Sequence, residues 1–275
     1  MATTDIYHVT GGLKGRHAVA FLSTDHNDYV QVNAHAVART AADDTVGTYS
    51  AWVNIADITS TFCILCAGDN DAVEFIELNI EAGLLTARCT DATVAQFVTQ
   101  ADAIGFKPHR WYHVAMVQRA DGSGVHLYID GSEIAVTHDT STDLDEWYNN
   151  LDGLDTFRIG AANKAGDASV TNDFNGGISD VKYWSTNLTD AQINNDFLGE
   201  SNTTNLQLHL DMVEDLIDAG SGADDGTMVG DALLTNNYCE FTSRLRNTTG
   251  VPVVADSVIC FADEGTGHAV VIQAA

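Results

Sequence analysis

The stretch Trp111–Gly131, WYHVAMVQRADGSGVHLYIDG, decides the fold. It contains two runs of strand length, Trp111–Gln118 and Val125–Ile129, separated by a segment with the turn signal Asp121-Gly122. Short apolar or alternating runs that are bounded by Gly and Asp are typical of β-strands joined by a turn. The stretch therefore predicts two strands.

Similar runs continue on both sides of this stretch. Gly, Asp and Asn separate them, as in Ala82-Gly83 and Asn175-Gly176-Gly177. Many short strands with this punctuation predict an all-β sandwich or jelly roll. The other strand-length runs are Ala18–Phe21, Tyr29–Val32, Tyr49–Ile55, Phe62–Ala67, Phe75–Ile80, Leu84–Arg88, Phe157–Ile159, Ile178–Trp184 and Leu206–Leu210.

One short helix has a clear start. Thr189-Asp190-Ala191-Gln192 fits a capping box, in which the Thr hydroxyl and the Gln side chain each satisfy a free backbone N–H. Leu188 and Ile193 occupy the hydrophobic-staple positions around it. We expect this helix to end near Phe197-Leu198-Gly199 and to plug one end of the sandwich.

The order of these motifs resembles the laminin-G-like, concanavalin A-like lectin family over residues 16–200. The resemblance implies a two-sheet antiparallel concanavalin A-like jelly-roll sandwich. Each piece is common alone, but their order and spacing together are specific. The pieces are Ala20-Phe21, Asp28–Val32, Tyr49–Val53, Trp111–Ala115, Val125–Gly131, Phe157–Gly160, Phe174–Val181 and Leu188-Thr189.

The C-terminal quarter departs from that family. In that family the domain usually opens with a strand and an Asp/Gly-rich loop. The similar segments of this chain, Leu206–Asp211 and Asp218–Met228, come last instead. We interpret residues 1–235 as one sandwich that 205–235 complete in permuted order. The alternative is a vestige of a second repeat.

Residues 236–275 form a predicted small C-terminal β module. Leu245–Thr249, Pro252–Cys260 and His268–Ile272 read as strands around Asp263–Gly267. The stretch 246–258 resembles small β modules on structural proteins of tailed viruses. The alternative is a hairpin that packs on the sandwich edge.

Charge excludes several classes of partner. The chain of 275 residues has a formal net charge of -27, so nucleic acid and anionic lipid are not expected to bind. Its 30 Asp, 9 Glu, 8 Arg and 4 Lys are typical of a protein for high salt, where carboxylates barely repel one another. The alternative is an acidic surface selected for solubility or divalent ions.

The cysteines and the N-terminus add two expectations. Cys63 and Cys66 lie in a strand run, where we expect their sulfurs to point to opposite faces and to serve as buried apolar groups. The sequence from Met1 has no basic and apolar signal segment, so synthesis in a cytoplasm without a signal peptide is expected.

The sharpest enzyme candidate is Glu77-Leu78-Asn79-Ile80-Glu81. It resembles the Glu-x-Asp-x-Glu signature of concanavalin-like β-glucanases, but Asn79 replaces the central acid. Residues four apart on a regular strand are roughly 13 Å apart, whereas retaining hydrolysis needs carboxyl groups about 5–5.5 Å apart. We therefore expect no enzyme, with Glu77 and Glu81 on the solvated face of a hairpin.

Oxygen-rich loops are candidate Ca²⁺ or Mg²⁺ sites, because hard cations prefer carboxylate and carbonyl ligands. One loop is Asp69-Asn70-Asp71, and another combines Asp167 with Asn172 and Asp173. The family resemblance adds Asp180, because related glucanases and binding modules have a calcium-ligating Asp in a similar place. Chance clusters are the alternative in so Asp-rich a chain.

A sugar platform is predicted within Asp143–Asn150. Trp147 or Tyr148 would stack on a sugar ring while Asn149 or Asn150 would bond its hydroxyls. In the alternative, both rings pack beneath the loop.

Together these features predict a non-enzymatic structural protein on a virion surface, as a capsid decoration, turret or tail fibre subunit of a tailed virus, with a halophilic host. Its expected partners are copies of itself, other virion proteins and host-surface glycans. The alternative is a carbohydrate-binding lectin or adhesin module.

Overall fold

The computed structural model of the chain describes residues 16–21, 27–166, 169–212, 215–238, 258–262 and 269–273. This part of the chain contains strands and two short helices, neither of them long and apolar enough to cross a lipid bilayer. The helices are α1 (Asn33–Ala42) and α2 (Asp190–Phe197). The strands are β1 (Arg16–Phe21), β2 (Tyr29–Gln31), β3 (Gly47–Ile55), β4 (Thr61–Gly68), β5 (Phe75–Glu81), β6 (Leu84–Asp91), β7 (Val94–Ala101), β8 (Trp111–Gln118), β9 (Val125–Ile129), β10 (Ser132–Glu133), β11 (Val136–Ser141), β12 (Thr156–Ile159), β13 (Gly176–Trp184), β14 (Leu206–Leu210), β15 (Thr227–Val229), β16 (Leu233–Tyr238), β17 (Val258–Ala262) and β18 (Ala269–Gln273).

Two antiparallel eight-stranded sheets form the sandwich, which confirms the predicted fold class. The first sheet has the order β10-β9-β8-β3-β13-β1-β16, and β14 also pairs with β13. The second has the order β11-β7-β6-β5-β4-β12-β2-β15. The hairpin sequence that decides the fold is β8–β9, in register from Val114 with Ile129 to Gln118 with Val125.

The core lies between the sheets because the strands alternate. On β5, Ile76, Leu78 and Ile80 point inward, and β3 contributes Tyr49 and Val53 among others. The side chains between these positions point to the outer faces, since successive residues of a strand face opposite ways. The outer face of each sheet is therefore where polar groups collect.

Helix α2 has the predicted capping box. The Thr189 side chain accepts from the Gln192 backbone N–H, and the Gln192 side chain accepts from the Thr189 backbone N–H. The helix does not plug one end of the sandwich, as the sequence suggested. It covers the outer face of the first sheet, where Phe197 stacks on Trp52 with ring centroids 5.6 Å apart.

Helix α1 is not predicted by the sequence. Val32, at its N-cap, makes no side-chain capping hydrogen bond, and the first turn holds no acid. The helix is anchored instead by burial of His35 and Ala36, and it ends at Asp43 in the left-handed conformation. Tertiary packing here replaces the local signals that usually mark a helix start.

The late strands join the sheets made by the earlier ones. β14 pairs with β13, β15 with β2 and β16 with β1. The alternating face of Leu206, Leu208 and Leu210 is buried accordingly. In the C-terminal region β17 and β18 pair antiparallel, while Leu245–Thr249 and Asp263–Gly267 lie outside the described residues. The division into residues 1–235 and 236–275 remains a prediction.

Cys63 and Cys66 share a face, contrary to the expectation for a regular strand. Both pack with Phe75 and Ala162 in one buried cluster on the outer side of the second sheet. The pairing of β4 with β5 shifts register between Cys63 and Leu65. A bulge changes which way the following side chains point, so the simple alternation fails at this place.

Candidate ligand-binding groove

A groove of about 360 Å³ opens on the outer face of the second sheet. Strands β4, β5 and β6 provide its base, and the β12–β13 connection lies over one side. Seven residues line it: Thr61, Phe75, Asn79, Glu81, Arg88, Lys164 and Asn172. Hydroxyl, amide, carboxylate, cationic and aromatic side chains therefore meet around one cavity.

Strand β5 supplies the groove's base through its outward-facing side chains. Phe75, Glu77, Asn79 and Glu81 alternate with the core residues of the same strand. Glu77 and Asn79 are fully buried. The expectation that this face is simply solvated is wrong for Glu77, because the β12–β13 connection covers it.

Several hydrogen bonds anchor the β12–β13 connection over the sheet. Arg158 donates from Nη1 to the Ser169 carbonyl at 2.7 Å, and the Cys63 backbone N–H donates to the Asn172 carbonyl at 2.7 Å. Asn163 Nδ2 donates to Asn70 Oδ1 at 2.9 Å. These anchors hold Lys164 and Asn172 at the groove.

Two ion pairs cross the groove and balance its charge. Lys164 Nζ lies 3.2 Å from Glu77 Oε2, and Asn172 Nδ2 donates to Glu77 Oε1 at 3.3 Å. Arg88 Nη2 donates to Glu81 Oε2. Lys164 Nζ also lies 5.8 Å from the centre of the Phe75 ring. The four charged side chains sum to zero, in a chain that is otherwise strongly acidic.

The two buried cysteines near the groove, Cys63 and Cys66, add no charge to it. Burial, reinforced by the Glu77 carboxylate, raises the pKa of Cys66 to about 12, and burial raises that of Cys63 well above its ordinary value. Both thiols therefore stay protonated at neutral pH and act as an apolar layer. They are free, not disulfide-bonded.

Asn79 is the most buried side chain of the groove, and neither its Oδ1 nor its Nδ2 has a hydrogen-bond partner. Sequence reasoning considered this residue only as the acid missing from a glucanase-like signature. It also missed Arg88 and Lys164. The alternating polar side chains of β5 were the only sequence signal for this site. The β12–β13 connection that covers them is more than eighty residues away in sequence, so the local pattern does not reveal it.

The two acids of the glucanase-like signature lie far apart along strand β5. The register of β5 with β6 is continuous, so Glu77 and Glu81 keep the roughly 13 Å backbone separation of residues four apart. Each carboxylate is also held by a cation. What the groove offers is a set of hydrogen-bonding groups beside one aromatic ring.

The sugar platform predicted around Trp147 is wrong. Trp147 and Tyr148 are 0% and 1% exposed and belong to the main core, where the Tyr148 hydroxyl lies 2.5 Å from that of Tyr49. The rings offer no face to a sugar because the sandwich interior encloses them. Asn149 is half-buried and Asn150 is exposed, with no aromatic surface of the pair beside them.

The Asp69–Asp71 loop uses its polar atoms within the chain. Asp69 Oδ1 accepts from the Asp71 backbone N–H at 2.7 Å, and Asn70 donates to Asp155 from its backbone and side chain. Asp173 is buried, and Asp167 lies outside the described residues. Among the side chains that the structure describes, no three His, Cys, Asp or Glu are placed to hold a metal ion.

Asp180 is engaged by cationic and imidazole groups of the protein itself. Lys182 Nζ lies 2.7 Å from its Oδ2, and His209 Nε2 lies 2.9 Å from its Oδ1. Lys182 supplies the positive charge beside Asp180 in this structure, and a calcium ligand at this position stays a prediction.

The chain belongs to the concanavalin A-like lectin/glucanases superfamily, whose family model of laminin-G type matches residues 24–194. No curated protein sequence matches the chain closely enough to count as a relative. The comparison thus agrees with the lectin-like sandwich fold of the two sheets.

Two solved structures illustrate the shared fold. A proposed carbohydrate-binding protein from Bacteroides ovatus is 19% identical, with a TM-score of 0.53; 82% of this chain aligns with 63% of that protein. The CBM40 module of the Ruminococcus gnavus IT-sialidase, bound to α2,3-sialyllactose, is 13% identical with a TM-score of 0.53. The match covers 68% of this chain and all of that module.

Proposed function

We propose that this protein is a non-catalytic carbohydrate-binding module and that the groove on the outer face of the second sheet is its glycan site. The observation that carries the proposal is the groove itself, in which hydroxyl, amide and ionic side chains lie beside the Phe75 ring. Sugars need many directional hydrogen bonds and one apolar contact, and the groove supplies both kinds of group.

The fold supports the same proposal. Lectins share this superfamily, and a structurally similar sialidase module was solved with a bound oligosaccharide. A sandwich holds its outer sheet face rigidly, so groups on β5 and β6 are already positioned before a ligand arrives. Such preorganisation lowers the entropic cost of binding.

The non-catalytic part of the proposal rests on the two ion pairs. General acid–base hydrolysis needs one protonated and one free carboxyl group near the scissile bond. Here each carboxylate is engaged by a cation, Glu77 by Lys164 and Glu81 by Arg88, so neither stands free for one of these roles. We expect no release of reducing sugar from glucan, chitin or sialylated substrates at any pH between 5 and 9.

A glycan array in 2 M KCl, with and without EDTA, tests this function. Arg88→Ala and Lys164→Ala should each weaken binding, while Arg110→Ala, an exposed arginine paired with Asp130 on the first sheet, should not. Loss of signal in EDTA would establish a role for Ca²⁺ or Mg²⁺, which no described cluster of ligands provides. Absence of any bound glycan would overturn the proposal.

A placement on a virion surface remains our second proposal. One support is the resemblance of residues 246–258 to tailed-virus modules. The other is the low charge of residues 236–275, whose four acids and two arginines give a net charge of -2, against -27 for the whole chain. A segment of low charge on a strongly acidic body is where copies could approach. Mass spectrometry of purified particles tests this placement, as does assembly of a chain that lacks residues 239–275 and keeps strand β16 whole.

A further inference from the structure

We infer that the groove takes neutral glycans and rejects acidic ones, and that Glu81 is the residue that sets this preference. The inference rests on the proposed glycan site and names the class of sugar that the site takes.

The first step concerns the charge of the groove. Each of its two cations already contacts a carboxylate: Arg88 donates to Glu81, and Lys164 Nζ lies 3.2 Å from Glu77 Oε2. These four side chains sum to zero, on a chain whose formal net charge is -27. An acidic sugar therefore meets no uncompensated positive charge among the side chains that the structure places at this groove.

The second step concerns the hydrogen bonds that each kind of sugar can make. A sugar hydroxyl both donates and accepts, so it can bond to a carboxylate or to a cation without displacing the partner of either. A ligand carboxylate only accepts, so of the charged groups it can use only Arg88 and Lys164. Approaching either cation also brings it close to Glu81 or Glu77, and like charges at short range repel.

The third step identifies which of the two acids a ligand meets. The side chains of Glu81 and Arg88 are 36% and 28% exposed, whereas Glu77 is fully buried. Glu77 is also held by a second group, since Asn172 Nδ2 donates to its Oε1 at 3.3 Å. A ligand carboxylate that bound Arg88 would have to displace the Glu81 carboxylate or lie beside it. Glu81 is thus positioned to decide whether Arg88 can receive an acidic sugar.

Matched glycan pairs on an array in 2 M KCl test the inference. One pair is lactose and 3′-sialyllactose. The other is the fully methyl-esterified tetramer of galacturonic acid and its free acid, which differ only at their carboxyl groups. Salt above about 1 M screens charges beyond roughly 3 Å, so a preference seen under these conditions comes from contacts within the groove rather than from the charge of the whole chain.

The expected result is that the wild type retains neutral glycans and not acidic ones. An ionised carboxylate that leaves water without gaining a charged partner is strongly penalised, whereas a hydroxyl exchanges one set of hydrogen bonds for another. We expect the neutral member of a pair that binds to have a Kd at least about tenfold lower than the acidic member, measured by calorimetry in the same salt.

Glu81→Gln should lower that ratio about tenfold, because it leaves Arg88 without its carboxylate partner and so able to pair with an acidic sugar. A purely structural Glu81 would change stability or both affinities alike, but not their ratio. Its ion pair is partly exposed and contributes little to stability, so the variant should remain folded, as a melting curve verifies. Glu133→Gln on the first sheet is the matched control. It also removes one negative charge, from a carboxylate that is 40% exposed and lies beside His126, and it should leave the ratio unchanged.

The outcomes separate the two proposals. Equal or tighter binding of acidic glycans by the wild type overturns the inference but leaves the glycan site intact. No binding to any glycan on the array overturns both. If Glu81→Gln keeps the same preference as Glu133→Gln, another group excludes acidic sugars and the assignment to Glu81 is refuted.

Discussion

The carboxylate of Asp196 fastens helix α2 to the outer face of the first sheet. It accepts from Ser50 Oγ at 2.7 Å, Lys182 Nζ at 3.1 Å and Ser201 Oγ at 2.5 Å, and it lies 2.9 Å from His113 Nε2. Three strands, β3, β8 and β13, thus converge on one buried acid. We expect Asp196→Ala to be among the most damaging single changes in this chain.

The magnitude follows from burial. Removing one partner of a buried ion pair costs about 3–5 kcal/mol when the remaining charge loses its compensation. Lys182 keeps Asp180 as a partner at 2.7 Å, so the loss should lie at the lower end, about 3 kcal/mol. For a chain of this size that corresponds to a fall of roughly 6–12 °C in melting temperature. Asp190→Ala on the same helix is the control. Asp190 also accepts from a cation and a hydroxyl, Arg119 and Tyr128, but its side chain is 69% exposed, so a loss of about 1 kcal/mol or less is expected.

Urea denaturation at fixed high salt measures both variants, with tryptophan fluorescence as the probe, since Trp52 stacks on Phe197 of the same helix. Burial alone would raise the pKa of Asp196, but the hydrogen bond from His113 and the charge of Lys182 outweigh it and hold that pKa well below its ordinary value. The stabilisation should therefore be complete above about pH 4 and fade below it. Equal losses in Asp196→Ala and Asp190→Ala would refute this account.

Three further predictions concern stability. Gly160→Ala should lower the free energy of unfolding by about 2–4 kcal/mol, because Gly160 has a φ of 89° and a new Cβ would lie 2.5 Å from the Phe21 ring. Gly122→Ala, at a φ of 78° with open space around it, should lower it by only about 1 kcal/mol in the same urea titration. Burial, with the charge of Asp143 next, raises the pKa of Glu146 to about 7, so ionisation destabilises the fold as pH rises from about 4.5 through 7. Glu146→Gln should therefore raise the melting temperature at pH 8 and change it little at about pH 4. With a net charge of -27, the protein should melt at a lower temperature in 0.1 M than in 2 M NaCl, and equal melting temperatures would exclude a high-salt adaptation.

Local patterns predicted most of the sandwich. Trp111–Gln118, Val125–Ile129 and Leu206–Leu210 have the predicted bounds as β8, β9 and β14, and the capping box at Thr189 marks the start of α2. In these segments the hydrophobic period and the end signals act within a few residues, so the sequence nearby is sufficient.

The failures arise where distant segments decide the outcome. Glu77 looks like an exposed hairpin acid, and only the β12–β13 connection buries it. Trp147 and Tyr148 sit in an acidic, amide-rich loop whose composition fits a sugar platform, yet the sandwich core encloses them. A register shift in β4 reverses the expectation for Cys66. None of these effects has a signature in the surrounding residues.

The pairing of β1 with β16 delays completion of the first sheet while the chain is being synthesised. Ala18 accepts a hydrogen bond from Thr235, 217 positions later, and Val19 pairs with Leu234. At about 5–20 residues per second, a ribosome needs roughly 10–40 s to add those residues. Throughout that interval the edge of β1 that will pair with β16 stays open. An open strand edge is a template for pairing between chains. Synthesis speed and crowding of nascent chains should therefore influence the yield of folded protein more than they do for proteins whose sheets close locally.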